Sequence, residues 1–192
     1  MVRTMIILLA VVVALMSGTA GAATAPTPNS LSQQDRDFLI MSHQGNLAEI
    51  EAGRAATRKA DDQDGGKAGQ AVRDLGEHLV VSHMRLDKIL QQVARELGVE
   101  LPDGPSAAQR RQLEEVMALN GREFDRAWIS MEIENHRQAL ILVRKQIESG
   151  SDPQVRKVAL YAQHVVLDHL KMFRDAQKSL FPSPAATSSP SS

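Results

Sequence analysis

Residues 72–97 read VRDLGEHLVVSHMRLDKILQQVAREL. Val72, Leu75, Leu79, His83, Leu86, Leu90, Val93 and Leu97 recur in steps of three or four, the spacing of one face of an α-helix. Every position on that face is aliphatic except His83, an imidazole standing where a leucine belongs. Gly98 follows at once and is a C-terminal stop. The stretch therefore reads as a long amphipathic helix whose buried seam carries a single polar residue.

The same pattern occurs twice more downstream. Ile129, Ile133, His136, Leu140, Val143 and Ile147 form one stripe, and Val155, Val158, Ala162, Val165, His169, Phe173, Ala176 and Leu180 form another. Each is apolar with one histidine near its middle. Upstream, Met41, Ser42, Gly45, Glu49, Ala52 and Ala56 all lie within about 60° of Phe38 at 100° per residue. That face is built of small residues and carries one carboxylate, Glu49.

Stop and start signals divide the chain accordingly. Ser32 with Asp35 opens a helix that runs to Lys59 and is ended by Asp61-Asp62-Gln63-Asp64-Gly65-Gly66. A second helix runs from Lys67 to Leu97. Ser106 with Gln109 is a capping box for a shorter helix ending near Leu119, and Asn120-Gly121 breaks the chain. Helices over Arg122–Ser149 and, after the Asp152-Pro153 start signal, Pro153–Leu180 complete the set. The expected fold is all-α: an antiparallel four-helix bundle spanning 32–181, with a short extra helix between its second and third members.

Composition agrees with this. The 192 residues are 43% apolar but only 3% aromatic, which disfavours an all-β fold. The 22 basic residues against 23 acidic ones leave no basic footprint, so no nucleic-acid partner is expected. The absence of cysteine removes disulfides, iron–sulfur clusters, thiolate metal sites and a thiol nucleophile.

Two terminal segments stand apart. Residues 1–22 combine Arg3, an apolar run from Met5 to Met16 and the Ala20-Gly21-Ala22 pattern, the marks of a secretory signal peptide. The run is too short to span a bilayer, which needs about 20 residues. The mature protein is thus expected to be exported, periplasmic or extracellular, with no membrane span. Residues 23–31 read as a linker, and 182–192, made of Pro, Ser, Ala and Thr, as a disordered tail.

His83 stands 15 residues before Gly98, and His136 stands 15 after Gly121; pairing those ends sets the two rings level. His136 precedes Gly150 by 14 residues and His169 follows Pro153 by 16, a mismatch of about 3 Å along a helix. One layer of the core is therefore expected to hold His83, His136 and His169. Glu49 falls about 7 Å off that layer when counted from the Asp61 turn. His43 matches the height better but points with Leu39, Leu47 and Ile50. His78 and His164 read as surface residues.

Neutral imidazole is a ligand for Zn, Cu, Ni or Fe, and a carboxylate completes a shell or orients a ring. His83, His136, His169 and Glu49 are accordingly candidate ligands of a divalent transition metal or a small molecule. The alternative is a metal-free polar layer, held by hydrogen bonds and setting helix register in a structural or stress-related envelope protein. No Glu-x-x-His occurs, which disfavours a di-iron carboxylate centre. No catalytic motif, phosphate loop or dinucleotide fingerprint is present. Phe124, Trp128, Met131 and Leu142 form a second stripe, expected to pack under the short helix. Asp125 is placed to meet a helix N-terminal dipole. Partners and oligomeric state are not indicated.

Asp37-Phe38-Leu39, Gly45-Asn46-Leu47-Ala48-Glu49, Ser82-His83, Gly121-Arg122-Glu123-Phe124-Asp125-Arg126-Ala127-Trp128, His136 and His169 resemble, in order and spacing, the bacterial exported family called domain of unknown function 4142. The resemblance spans about Ser32 to Leu180. It implies a ferritin-like bundle, exported, without an established activity. Family-typical positions fall on Glu49, His83, Phe124, Asp125, His136 and His169. The chain departs from the family in carrying Ser82 where an Asp is common and Trp128 where a Tyr is common.

Overall fold

The computed structural model describes residues 31–59 and 66–182; the expected signal peptide, all of the linker but its last residue, and all but the first residue of the tail lie outside them. Five helices follow in order: α1 (Gln33–Lys59), α2 (Lys67–Glu96), α3 (Ala107–Met117), α4 (Gly121–Ser149) and α5 (Pro153–Leu180). All five expected helices form, with ends within a residue or two of their sequence signals. The Ser106 hydroxyl accepts from the Gln109 N–H while the Gln109 side chain accepts from the Ser106 N–H. Asp152 accepts from the N–H groups of Gln154 and Val155. At Gly98 the backbone turns to φ 65°, a left-handed value that glycine adopts without a Cβ penalty, and α2 ends there.

Contacts at the helix ends fix the chain direction. Lys59, the last residue of α1, donates to the Leu119 carbonyl at 2.7 Å and to Asn120 Oδ1 at 2.8 Å, just before α4 begins. At the opposite end Asp35, in the first turn of α1, accepts from Gln146 Nε2, from Ser151 N at 3.2 Å and from Asp152 N at 3.1 Å. Burial alone would raise the pKa of this carboxyl, but those donors and the Ser32 hydroxyl outweigh it, and the pKa falls below the usual value. Arg122, at the start of α4, donates to the Leu180 carbonyl at the end of α5. α1 and α5 thus run one way, and α2 and α4 the other.

Segment 97–120 therefore crosses the full length of the bundle, carrying α3 with it. Every laterally adjacent pair (α1–α2, α2–α5, α5–α4 and α4–α1) is antiparallel, as expected of the bundle. The ends of α2 and α4 that the count from Gly98 and Gly121 paired lie at opposite ends of the molecule. His83 and His136 are nonetheless level, because 15 residues from either end of a helix of about 30 is its middle.

Two apolar clusters fill the interior, one on each side of the polar layer. Phe124, Trp128, Leu79 and Phe173 anchor the first, against which α3 packs through Val116, Leu113 and Met117. Phe38, Leu39, Leu90 and Val158 anchor the second. Trp128 is fully buried, donates to the Ala52 carbonyl at 3.1 Å and meets Phe173 edge-on. Leu142 departs from the expected stripe and packs in the second cluster, away from α3. On α5, Val166 rather than Val165 is buried.

α1 and α2 approach most closely at Gly53 and Gly76. A Cβ on Gly53 would lie 2.6 Å from the Gly76 carbonyl oxygen, and one on Gly76 would lie 2.7 Å from the Gly53 carbonyl oxygen. Gly53→Ala is expected to destabilise the protein by roughly 1–3 kcal/mol in urea denaturation, because backbone must separate to admit the methyl. The better helix propensity of alanine, worth about 0.5–1 kcal/mol, does not offset this.

Candidate metal or ligand site

At the middle of the bundle α2, α4 and α5 each present one histidine. The rings of His83 and His169, and of His136 and His169, have centroids 5.1 Å apart, and those of His83 and His136 are 5.6 Å apart. All three residues are buried. One ring nitrogen from each lies within 4.8 Å of the other two. The Phe173 ring stands edge-on to His136 and closes one side.

Glu49 joins a neighbouring group. A carboxyl oxygen of Glu49, one of Glu132 and a ring nitrogen of His136 also lie mutually within 4.8 Å, so His136 is shared by a histidine lobe and a carboxyl lobe. Glu132 is fully buried and was not among the candidates from sequence. Its signal was present: it precedes His136 by four residues, which places both on one face of α4.

Hydrogen bonds decide which ring nitrogens carry protons. Asn46 Nδ2 donates to Asp87 Oδ1 at 3.3 Å, so the amide oxygen of Asn46 faces His83. His83 Nδ1 donates to that oxygen at 3.0 Å, which leaves Nε2 as a bare lone pair. Asp87 Oδ1 also accepts from His43 Nδ1 at 2.7 Å, and Asp87 Oδ2 accepts from Gln91 at 2.6 Å. His43 Nε2 faces the Pro102 carbonyl at 3.0 Å; both its nitrogens are engaged, and the ring stays outside the histidine lobe. Asn46 and Asp87 were not singled out in the sequence, although Asp87 follows His83 by four residues.

His136 Nδ1 donates to the Glu132 carbonyl at 2.9 Å, which leaves Nε2 bare. That nitrogen lies 3.0 Å from His169 Nδ1, and His169 Nε2 lies 3.0 Å from Ser82 Oγ. Ser82 has one hydroxyl proton and three acceptors within reach: His169 Nε2 and the carbonyls of His78 and Leu79. If it donates to His169 Nε2, His169 Nδ1 donates to His136. If it donates instead to the His78 carbonyl, 2.8 Å away, His169 Nε2 donates to it and two lone pairs face each other. Ser82, standing where the family commonly has Asp, thus partners the histidine of α5 rather than its own neighbour. His78 is exposed and touches the His169 ring edge-on; His164 is exposed.

Burial, reinforced by His136, His169 and His78, holds the pKa of His83 well below the ordinary histidine value. Burial, with His136 and His78, pulls His169 down to about 3. Both rings are therefore neutral near pH 7, the form that ligates metal. Burial and the adjacent Glu49 push Glu132 well above the ordinary carboxyl value, so it holds its proton. His83 Nε2 is buried without a hydrogen-bond partner, while the Glu132 carboxyl and Glu49 bond to each other. At the start of α4, Asp125 is buried and its pKa is raised, burial outweighing the pull of Arg122; it lies over two helical turns from the site.

The molecule is thus a helical bundle with a buried polar centre of histidines and carboxyls. The chain belongs to the family described as domain of unknown function DUF4142, whose model matches residues 20–176. Among solved structures, a DUF305 fragment from Deinococcus radiodurans is similar, with a TM-score of 0.64 at 13% identity over 78% of this chain and 98% of that one. A DUF305 protein of Streptomyces coelicolor, named as a candidate secreted protein, aligns with a TM-score of 0.61 at 10% identity over 76% and 93%. These likenesses bear on the fold alone. No curated protein matches the chain significantly. Among the described residues no helix is long and apolar enough to cross a membrane.

Proposed function

We propose that the protein is an exported metal-binding bundle in which His83, His136 and His169 hold one divalent transition-metal ion, with Glu49 and Glu132 beside it. The observation that carries this reading is the buried His83 Nε2 without a donor, in a group of three rings whose nitrogens lie mutually within 4.8 Å. An unsatisfied buried polar group costs about 1–3 kcal/mol. A cation held by the three rings supplies the partner that His83 Nε2 lacks. Second contacts favour the same reading: His83 and His136 each donate their other nitrogen to an oxygen, which fixes the ligating tautomer. In a tetrahedral shell with bonds of about 2.0–2.1 Å, imidazole nitrogens sit about 3.3 Å apart, so binding draws the three rings together.

The test is elemental analysis of untagged, purified protein, followed by titration of the stripped protein with Zn, Cu, Ni and Fe. About one equivalent of metal is expected, with a rise in unfolding temperature on reloading, and both should vanish in the triple His83→Ala, His136→Ala, His169→Ala variant. A metal-free preparation whose melting temperature ignores all four ions would overturn the reading.

A second reading has one observation in its favour. The series Ser82, His169, His136 and the Glu132 carbonyl closes by hydrogen bonds with no ion present. In that case the layer sets helix register in a structural or stress-related envelope protein. Export in both readings rests on the signal-like residues 1–22. The ferritin-like label likewise belongs to this reading, resting on a four-helix bundle with one long crossover.

A further inference from the structure

We propose that the cleft between α1 and α4 is the mouth of this site and admits a small oxyanion with a short apolar tail, its head reaching the metal. The proposal rests on the metal reading above and adds that the ion keeps a coordination position open to the cleft. α3 packs over one half of the α1–α4 groove through Val116, Leu113 and Met117 and leaves the other half uncovered beyond Gln109. The uncovered half is a cavity of about 480 Å³, within the range of small-molecule sites.

Its walls are apolar, formed by Leu86, Ala139, Leu142, Val143 and Val166, and its floor is Glu49, His83 and His136. Glu49 and His83 are 7% and 4% exposed, and the unpartnered Nε2 of His83 is itself buried beneath that floor. An apolar passage leads down toward the polar centre, and at its rim stand the exposed Met41 and Ile141 and the cation Lys145.

Gly45 supports the same conclusion. Glycine inside a helix costs about 0.5–1 kcal/mol relative to alanine. At Gly53 and Gly76 close backbone contact accounts for it, but a Cβ on Gly45 would meet nothing within 4 Å. Packing gives no reason for glycine there; its effect is to leave the passage wide. The oxyanion follows from charge. Three neutral imidazoles leave the ion positive, a Glu49 carboxylate would cancel only part of a divalent charge, and Lys145 adds another positive group, while the walls reward an apolar body.

The test uses cobalt-loaded full-length protein and two probes, azide and hexanohydroxamate, followed by the visible cobalt spectrum. Both should shift the cobalt bands. Gly45→Leu should keep one cobalt per chain and the azide response but bind hexanohydroxamate at least tenfold more weakly. Ala139→Leu, on the facing wall, makes the same test if Gly45→Leu fails to fold. Stoichiometric cobalt with a spectrum indifferent to both probes would overturn the open position. Unchanged hydroxamate binding in the plugged variants would overturn the cleft as its route. Failure of the wild-type protein to load cobalt would overturn the metal reading itself, and this proposal with it.

Discussion

Asp87→Ala is expected to destabilise the protein by about 3–5 kcal/mol and to weaken the proposed metal binding by about 10- to 100-fold. The stability loss follows from what the carboxyl holds. It accepts from His43, Asn46 and Gln91, and the first two are buried with it. Alanine leaves those donors without a partner in a region that water does not reach, and each orphan is penalised separately. The affinity loss follows from orientation. Once Asp87 is gone, the Asn46 amide is free to turn over, and His83 no longer has a fixed tautomer. Urea denaturation and competitive zinc titration read the two effects independently. Gln91→Ala is the control: it removes one partly buried contact and should cost under about 1 kcal/mol. A loss that small in Asp87→Ala, with unchanged zinc affinity, would show that the network neither supports the fold nor aligns the ring.

The second large effect is on acid stability without metal. His83 and His169 titrate lower in the folded protein than in the unfolded chain, where the ordinary value near 6.5 applies. Below about pH 6.5 the unfolded chain takes up protons that the folded protein refuses, so stability falls as pH falls. For His169 the loss continues to about pH 3. Each ring contributes at most about 1.4 kcal/mol per pH unit. Glu132 acts in the opposite sense. Its folded pKa is raised, so its contribution is fully present below about pH 4.5 and is lost as pH rises toward the folded value.

The two rings outweigh Glu132 between pH 6.5 and 4.5, where Asp125, raised less far from its ordinary 3.8, adds little opposition, and a net loss on acidification is left. Asp35, whose pKa is lowered, adds to the loss only below its ordinary value of 3.8. Glu132→Gln removes the opposing group, so it should raise stability at pH 7.5 and steepen the acid loss. Urea midpoints at pH 7.5, 6 and 5 for both proteins check this. A flat profile in the metal-free wild type would show that the rings are not desolvated.

The seams of α2, α4 and α5 were legible because burial there is written as aliphatic side chains at helical spacing, and a histidine interrupting them is conspicuous. The level of the three rings came out right even though the wrong ends of α2 and α4 were paired, since mid-helix positions are insensitive to direction. The offset estimated for Glu49 also has a counterpart. It meets Glu132, about one turn along α4 from His136, and groups with His136 rather than with all three rings.

What escaped were polar residues whose burial depends on a partner far away in sequence. Asn46 is buried because Asp87, 41 residues on, satisfies it, and Asp35 because Gln146 and the turn at Ser151 do. Nothing local distinguishes such residues from solvated ones. The cleft was equally hidden. It depends on where the 97–120 crossover lays α3, and the periodicity of a single helix contains no information about that path.

That crossover divides the polypeptide into two hairpins, neither of which carries the whole donor set. Glu49 and His83 lie on the first; Glu132, His136 and His169 lie on the second. A chain cut within 98–105 would yield two fragments that each lack part of the cage, and full-strength ion capture would then report their reassociation. On the metal reading, the same partition means that the full donor set exists only once the two hairpins have docked.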